Sequence, residues 1–103
     1  EKDEYCFIAQ VDNYFVGAVW IRCIQGFGHL NDNIPELAMS IYPQYRNKGI
    51  GTSLLKNFLT FLRQKNYTQI SLSVQKNNYA VNMYKKLGFK IVSQNQSEYI
   101  MCL

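Results

Sequence analysis

The stretch "PQYRNKGIGTSLLKNFLTFLRQ", residues 43–64, places two glycines and two cations at the start of a segment with helical apolar spacing. Gly49 and Gly51 have no Cβ, so a ligand can approach their backbone closely. The first N–H groups of a helix lack partners within it, and the helix dipole favours negative charge there. Arg46 and Lys48 add cationic donors. The stretch therefore has the properties of a phosphate-binding loop.

The loop differs from two common phosphate-binding motifs. A Walker A loop needs Lys and then Ser or Thr directly after its last glycine, whereas Thr52 and Ser53 follow Gly51 here. The dinucleotide fingerprint needs a further glycine beyond the first pair, and that glycine is missing. Glycines at this place can also serve tight packing of a strand against a helix. The loop by itself leaves that alternative open.

The overall composition is that of one small globular domain. Of the 103 residues, 48% are hydrophobic and 17% are charged, which excludes a disordered chain. We therefore predict a single domain over residues 1–103. The net charge of +4 suits an anionic ligand such as a nucleotide. Because the sequence has no block of basic residues, we expect no nucleic-acid partner.

The cysteines and the apolar runs bear on the cellular compartment. Cys6, Cys23 and Cys102 are odd in number and scattered, without a C-x-x-C pair. We interpret them as buried, reduced thiols rather than as a disulfide or zinc framework, and we expect no metal. No apolar run approaches the length of a membrane span, and the charged opening "EKDEYC" is not a signal peptide. These features predict a cytoplasmic protein without a membrane partner.

The first half of the sequence predicts a β-hairpin and a third strand. Residues 5–11 and 14–24 are rich in β-branched and aromatic side chains. The dipeptide Asp12-Asn13 between them tolerates the positive φ of a tight turn. Residues 36–42 alternate apolar and polar side chains, which predicts a strand with one apolar face.

The second half of the sequence alternates helices and strands. From Ile50 the apolar residues follow helical spacing, and residues 68–74 return to the alternation of a strand. A second helical run ends at Gly88, which is well placed as the C′ residue of that helix. Two closing strands follow. The predicted order is β-β-β-α-β-α-β-β, an α+β fold with two helices.

Two motifs together resemble one protein family. Residues 46–51, "RNKGIG", resemble the acetyl-CoA-binding motif Q/R-x-x-G-x-G/A of the GNAT N-acetyltransferases. Residues 77–89, "NNYAVNMYKKLGF", are similar to the second signature of that family, N-x-x-A-x-x-x-Y-x-x-x-G-F. The resemblance covers about residues 5–103. It implies a mixed, mainly antiparallel central sheet, acetyl-CoA as co-substrate, and acetyl transfer to a primary amine of a small molecule or protein.

The resemblance also implies which residues bind the cofactor. The pyrophosphate of CoA is expected on the backbone amides of the glycine loop. The pantetheine arm is expected to pair like an extra strand with the strand before the loop, which the family splays from its neighbour. Asn77 is expected to contact the cofactor, to cap its helix, or to do both, and Lys86 either reaches the 3′-phosphate or is solvated. The implied cofactor-binding residues are Met39, Ser40, Ile41, Arg46, Asn47, Lys48, Gly49, Ile50, Gly51, Thr52, Asn77, Tyr84 and Lys86.

Catalytic roles follow from the same resemblance. Tyr84 matches the tyrosine that donates to the departing CoA thiolate, although its place on an apolar stripe also allows a packing role. The backbone N–H near Ile41 is expected to stabilise the oxyanion. The general base stays open, because the strand before the second motif has no carboxylate. Glu36 either acts as a base through water or is a surface carboxylate.

The main departure from the family is at the N-terminal side. The family usually has a strand and two helices before the hairpin, and these supply one wall of the acceptor pocket. This chain is therefore either a piece of a longer protein or an N-terminally short member that completes its wall from a partner, for example as a homodimer. The alternative function is a non-catalytic or truncated acyl-CoA-binding module. A small RNA-binding domain is disfavoured, because the tyrosines are expected at core-facing positions.

Overall fold

The computed structural model describes residues 4–22 and 34–103, which hold six strands, two α-helices and a short 3-10 helix (Pro43–Tyr45) in an α+β fold with a mixed sheet. The elements are β1 (Tyr5–Val11), β2 (Tyr14–Arg22), β3 (Glu36–Ile41), α1 (Ile50–Gln64), β4 (Ser71–Gln75), α2 (Ala80–Lys86), β5 (Lys90–Gln94) and β6 (Glu98–Cys102). This order and the fold class confirm the prediction. Within those ranges, no helix is long and apolar enough to cross a membrane.

Contacts divide the described chain into two compact units. The first contains residues 4–22 and 37–67, and the second contains residues 34–36 and 68–103. Strands β1, β2 and most of β3 belong to the first unit, and β4, β6 and β5 belong to the second. The single domain over residues 1–103 stays a prediction.

The hairpin of the first unit forms as its turn residues predict. Asp12 has a φ of 52° and Asn13 a φ of 71°, the left-handed values that a two-residue hairpin turn of this type requires. Val11 pairs with Tyr14 across the turn, and the two strands run antiparallel. Residues 23–24, which the prediction included in the second strand, lie outside the described residues.

Helix α1 covers one face of this hairpin. Its buried side chains are Leu54, Leu55, Phe58, Leu59 and Leu62. On β1, the ring of Phe7 lies 4.9 Å from Phe58, and the ring of Tyr5 lies 5.1 Å from Phe61. Because alternate residues of a strand point to opposite faces, the residues between them lie on the face away from α1.

Burial in the structure overturns two predictions. Cys6 is exposed and Cys102 is half-buried, so the interpretation of the cysteines as buried thiols was wrong for both; Cys23 lies outside the described residues. The tyrosines are not mainly core-facing either. All eight are described, and Tyr84 alone is buried, whereas Tyr14 is 70% exposed.

In the second unit, β6 lies between β4 and β5 with antiparallel pairing on both sides. The parallel pair of the sheet is Glu36 with Ser71. The N–H of Ser71 donates to the carbonyl of Pro35 at 3.0 Å, and its buried hydroxyl donates to the same oxygen at 3.3 Å. Strand β4 begins three residues later than predicted because Ser71 pairs with Cys102, the last residue of β6.

Gly88 ends α2 as predicted. Its φ is 106°, a value that favours glycine. The N–H of Gly88 donates to the carbonyl of Lys85 at 3.1 Å, and the N–H of Phe89 donates to the carbonyl of Tyr84 at 3.0 Å. These two bonds form a Schellman motif, which satisfies carbonyls that a helix end otherwise leaves without partners.

Candidate functional site

The loop between β3 and α1 presents backbone donors without helical partners. The first hydrogen bond of α1 runs from the N–H of Ser53 to the carbonyl of Gly49 at 3.0 Å. The N–H groups of residues 50–52 therefore precede the hydrogen-bonded ladder. Within the described residues, no side chain caps this helix end and its first turn has no acidic residue. The helix start is thus open to an anion.

The two left-handed residues of the loop explain why asparagine and glycine occur there. Asn47 has a φ of 62° and Gly49 a φ of 82°, a region that asparagine tolerates and glycine favours. A Cβ placed on Gly49 would have no atom within 4 Å. Tight packing therefore does not account for this glycine, and its Cβ position faces open space that a ligand can enter.

The two cations of the loop have different surroundings. The Nε of Arg46 donates to the carbonyl of Ile41 at 2.9 Å, so this half-buried side chain ties the loop to the end of β3. Lys48 is exposed and lines an open cleft of about 360 Å³ at the start of α1, together with Gly49 and Ser53. Lys48 thus lies beside the open helix end, and Arg46 lies at the end of β3.

The end of β3 is oriented by its bond to β2. The N–H of Tyr42 donates to the carbonyl of Val16 at 3.0 Å. Because successive backbone N–H groups of a strand point in opposite directions, the N–H of Ile41 points away from β2. Gly17 permits this close approach, since a Cβ there would lie 2.7 Å from the carbonyl oxygen of Ser40. The edge of β3 at Met39 to Ile41 that faces away from β2 is the edge predicted to pair with pantetheine.

Tyr84 is a buried titratable residue of the second unit. Its side chain is 5% exposed, and its ring lies 5.5 Å from that of Phe89. Burial raises the pKa of Tyr84 to about 12, and nearby Tyr79 adds to the effect. The hydroxyl makes no hydrogen bond to any residue in 4–22 or 34–103. A buried donor without a partner is costly, so this hydroxyl is suited to a ligand atom.

The remaining predicted residues of the second unit lie nearer the surface. Asn77 is exposed in the turn after β4 and does not cap α2; the cap is Asn78, whose Oδ1 accepts from the N–H of Ala80 at 2.8 Å. Lys86 is exposed in the last turn of α2. Glu36 is half-buried at the start of β3. In residues 4–22 and 34–103, no group of three or more potential ligands could hold a metal ion, and the absence of a metal stays a prediction.

The structure also shows a cavity that sequence reasoning missed. It measures about 190 Å³ and lies on the first unit. The residues that line it are Phe15, Val16, Gly17, Ala18, Trp20, Ser40 and Tyr42. The sequence did hold a signal for this cavity, the row of large side chains at the start of β2. The prediction used these side chains only as evidence for a strand.

Comparisons with known proteins identify relatives of the chain. Residues 2–91 match the family model described as acetyltransferase (GNAT) domain. The chain is 37% identical over 101 residues to an N-alpha-acetyltransferase of Sulfurisphaera tokodaii and covers 60% of it, with 89% of the chain aligned. It is 35% identical over 95 residues to the N-alpha-acetyltransferase of Saccharolobus solfataricus, covering 56% of it, with 84% of the chain aligned.

A solved structure shows the same fold. The PaiA N-acetyltransferase of Thermoplasma acidophilum, solved in complex with coenzyme A, superposes with a TM-score of 0.81 at 26% sequence identity. The superposition covers 97% of the chain and 60% of that protein. The chain thus spans less than two thirds of the length of each of these three relatives.

Proposed function

The chain belongs to the GNAT acetyltransferase family, and from this premise we propose that it transfers an acetyl group from acetyl-CoA to a primary amine. The observation that carries the proposal is the open helix start, where three backbone N–H groups, Lys48 and an unobstructed Gly49 lie together. The relatives of Sulfurisphaera tokodaii and Saccharolobus solfataricus are named N-alpha-acetyltransferases. We therefore favour the amino terminus of a protein or peptide as the acceptor.

The proposed cofactor contacts follow from the charge of CoA, which bears about four negative charges. The pyrophosphate accepts hydrogen bonds from the N–H groups of residues 50–52 and from the Thr52 hydroxyl. Lys48 and Arg46 add positive charge, with Asn47 holding the turn. The pantetheine arm pairs with the edge of β3 at Met39 to Ile41. Asn77 and Lys86 are exposed and accessible for the further contacts that the family pattern implies.

In the proposed reaction, the neutral amine attacks the thioester carbonyl and the new C–N bond replaces the C–S bond. The oxyanion of the tetrahedral intermediate accepts a hydrogen bond from the N–H of Ile41. Tyr84 donates a hydrogen bond to the departing sulfur. A phenol of pKa about 12 is a much weaker acid than a thiol of pKa near 8.5. Tyr84 therefore stabilises the thiolate without giving up its proton.

The proton of the amine needs an acceptor. Glu36 is half-buried and carries the carboxylate at the start of β3, so we propose that it takes this proton through a chain of ordered waters. The thiolate of CoA then leaves and equilibrates with solvent. No step of this reaction requires a metal.

Two further properties complete the proposal. An exposed free thiol such as Cys6 suits a reducing compartment, and we assign the protein to the cytoplasm. Among the strands in residues 4–22 and 34–103, β1 pairs with β2 alone, and its seven residues include no charge and no proline. Unprotected edges pair readily with another chain, so we propose a homodimer. A monomer mass that does not change with concentration would contradict it.

The substitution Tyr84→Phe tests the catalytic proposal. We expect turnover to fall by about 10²–10³-fold, the usual effect of losing one donor to a developing charge, while affinity for acetyl-CoA changes by less than about twofold, since ground-state binding does not depend on that donor. Tyr99→Phe is the matched control, because it removes a half-buried tyrosine hydroxyl of the same unit. The readout is release of the CoA thiol with peptide α-amines. Equal rates for Tyr84→Phe and the wild type would show that Tyr84 only packs.

A further inference from the structure

The cavity lined by Phe15, Ala18 and Tyr42 adjoins the proposed reaction centre. Ser40 and Tyr42 both line it, and they flank Ile41, whose N–H is the proposed oxyanion donor. The side chain of Ile41 is 2% exposed, so it points into the core. Because side chains alternate along a strand, Ser40 and Tyr42 point to the opposite face, the one that α1 does not cover, which we call the open face. The cavity therefore lies on the open face, one residue from Ile41.

The chemistry of the cavity wall is apolar. None of its seven lining residues carries a charge, and three are aromatic. The rings of Phe15 and Tyr42 meet edge to face at 6.3 Å and 87°, yet each side chain is 49% exposed. A half-exposed aromatic pair leaves apolar area that a ligand can remove from water. The wall accordingly favours an uncharged, apolar group.

The size of the cavity limits its occupant to one small group. Its volume is about 190 Å³, whereas a cavity of about 150 Å³ already admits benzene. Sites for whole small molecules begin at about 300 Å³. A branched aliphatic, thioether or benzyl side chain would fit, and a complete ligand would not.

The direction of approach assigns the cavity to the acceptor. The N–H of Ile41 points away from β2, so a thioester bound to it lies on the far side of β3 from the cavity. An amine must approach that carbonyl from above or below its plane. The face of Ile41 is closed by the core, which leaves the open face for the amine and for whatever group the amine carries.

We propose that this cavity binds the side group next to the accepting amine, so that the acceptor is an amine with an uncharged, apolar substituent about the size of a leucine or methionine side chain. The assignment of the cavity to an acceptor rests on the proposed acetyltransferase function. It makes Phe15, Ala18, Trp20 and Tyr42 specificity-determining residues. Amines whose neighbouring group is charged or absent are poorer substrates than amines with an apolar group of this size.

Binding can be measured without turnover, because Trp20 lines the cavity and is the one tryptophan of the sequence. The 103-residue chain, saturated with CoA, is titrated with L-leucinamide, glycinamide and L-lysinamide while Trp20 emission is followed. We expect leucinamide to bind about tenfold or more tightly than glycinamide, the usual effect of several buried methylenes. Lysinamide is expected to bind no better than glycinamide.

Two variants separate the cavity from the rest of the face. Ala18→Phe fills the cavity, and we expect the preference for leucinamide over glycinamide to disappear. Ile8→Phe is the matched control, because Ile8 pairs with Ala18 across the strands, is 55% exposed and does not line the cavity. The preference of Ile8→Phe for leucinamide over glycinamide should equal that of the wild type. A preference that survives Ala18→Phe would overturn the proposal, as would equal binding of the three amides by the wild type.

Turnover with the same amides and with two thioesters distinguishes the remaining outcomes. We expect leucinamide to be the better substrate in kcat/KM by the same factor as in binding. If Ala18→Phe instead abolishes use of butyryl-CoA and leaves the amide preference intact, the cavity holds the acyl chain and the proposal is wrong. Selective binding of leucinamide without turnover of any amine would support the cavity and contradict the proposed function.

Discussion

The guanidinium of Arg46 donates from Nε to the carbonyl oxygen of Ile41 at 2.9 Å, which ties the glycine loop to the last residue of β3. One side chain thus links the two backbone segments that the proposed function uses. The loop offers N–H groups to the pyrophosphate, and the strand offers its edge to the pantetheine arm. This hydrogen bond adds to the backbone bonds of residues 42–46 in fixing the relative position of the two segments.

Removing the link should weaken cofactor binding. We expect Arg46→Ala to raise the Kd for acetyl-CoA about 10- to 100-fold, the usual effect of losing a hydrogen bond made by a charged group. Calorimetric titration measures it. Arg63→Ala is the control, because it removes the same charge from the last turn of α1, and it should change the Kd by less than about threefold. Equal losses in the two variants would show that Arg46 acts only through net charge.

Gly49 should matter for the ligand more than for the fold. Asn47 already adopts a φ of 62°, so Gly49→Asn can keep the φ of 82° at low cost. We expect it to lower the free energy of unfolding by less than about 1 kcal/mol, and Gly49→Val to lower it by about 1–2 kcal/mol. Both variants place a Cβ in the open space at Gly49. Both should raise the Kd for acetyl-CoA by about tenfold or more, which is a loss of about 1.4 kcal/mol or more of binding free energy. If Gly49→Asn bound acetyl-CoA as well as the wild type, the explanation that a Cβ at this position blocks the ligand would be contradicted.

The stability of the protein should fall between pH 10 and pH 12 through Tyr84. The pKa of Tyr84 is raised from 10.0 to about 12 in the folded state, so the folded state binds more protons than the unfolded state in that window. The stabilising contribution is complete below pH 10 and is lost as the pH rises through about 12. The expected loss is on the order of 3 kcal/mol.

Urea unfolding across that pH range checks the effect of Tyr84. Tyr84→Phe has no proton to lose at this position, so its free energy of unfolding should fall less steeply than that of the wild type. Tyr99→Phe leaves Tyr84 in place and should keep the wild-type slope. Parallel slopes for the wild type and Tyr84→Phe would contradict the raised pKa.

Local rules of turn and cap chemistry predicted much of the fold. Asp12 and Asn13 marked the hairpin because few other residues accept two successive left-handed conformations. Gly88 marked the end of α2 for the same reason. The open helix start at residues 49–52 was also readable from the sequence, because missing Cβ atoms and unpaired N–H groups are properties of residue type and position.

Features that depend on contact with another segment of the same chain could not be predicted from the sequence. Strand β4 starts at Ser71 because that residue pairs with Cys102, and no local signal encodes this register. The cap of α2 fell on Asn78 and not on Asn77, a difference that depends on the geometry of the turn after β4. The cavity on β2 and β3 requires residues far apart in the sequence to meet, so its apolar wall could only be recognised in the structure.

Thermal unfolding of the 103-residue chain with acetyl-CoA, titrated from micromolar to millimolar, tests the central claim most directly. A ligand that binds the folded state stabilises it by about 2.7 kcal/mol at a hundredfold excess over its Kd. For a domain of this size the Tm should rise by about 10 °C, saturably for the wild type and much less for Gly49→Asn. An unchanged Tm of the wild type at millimolar acetyl-CoA would contradict the assignment of the glycine loop to the cofactor.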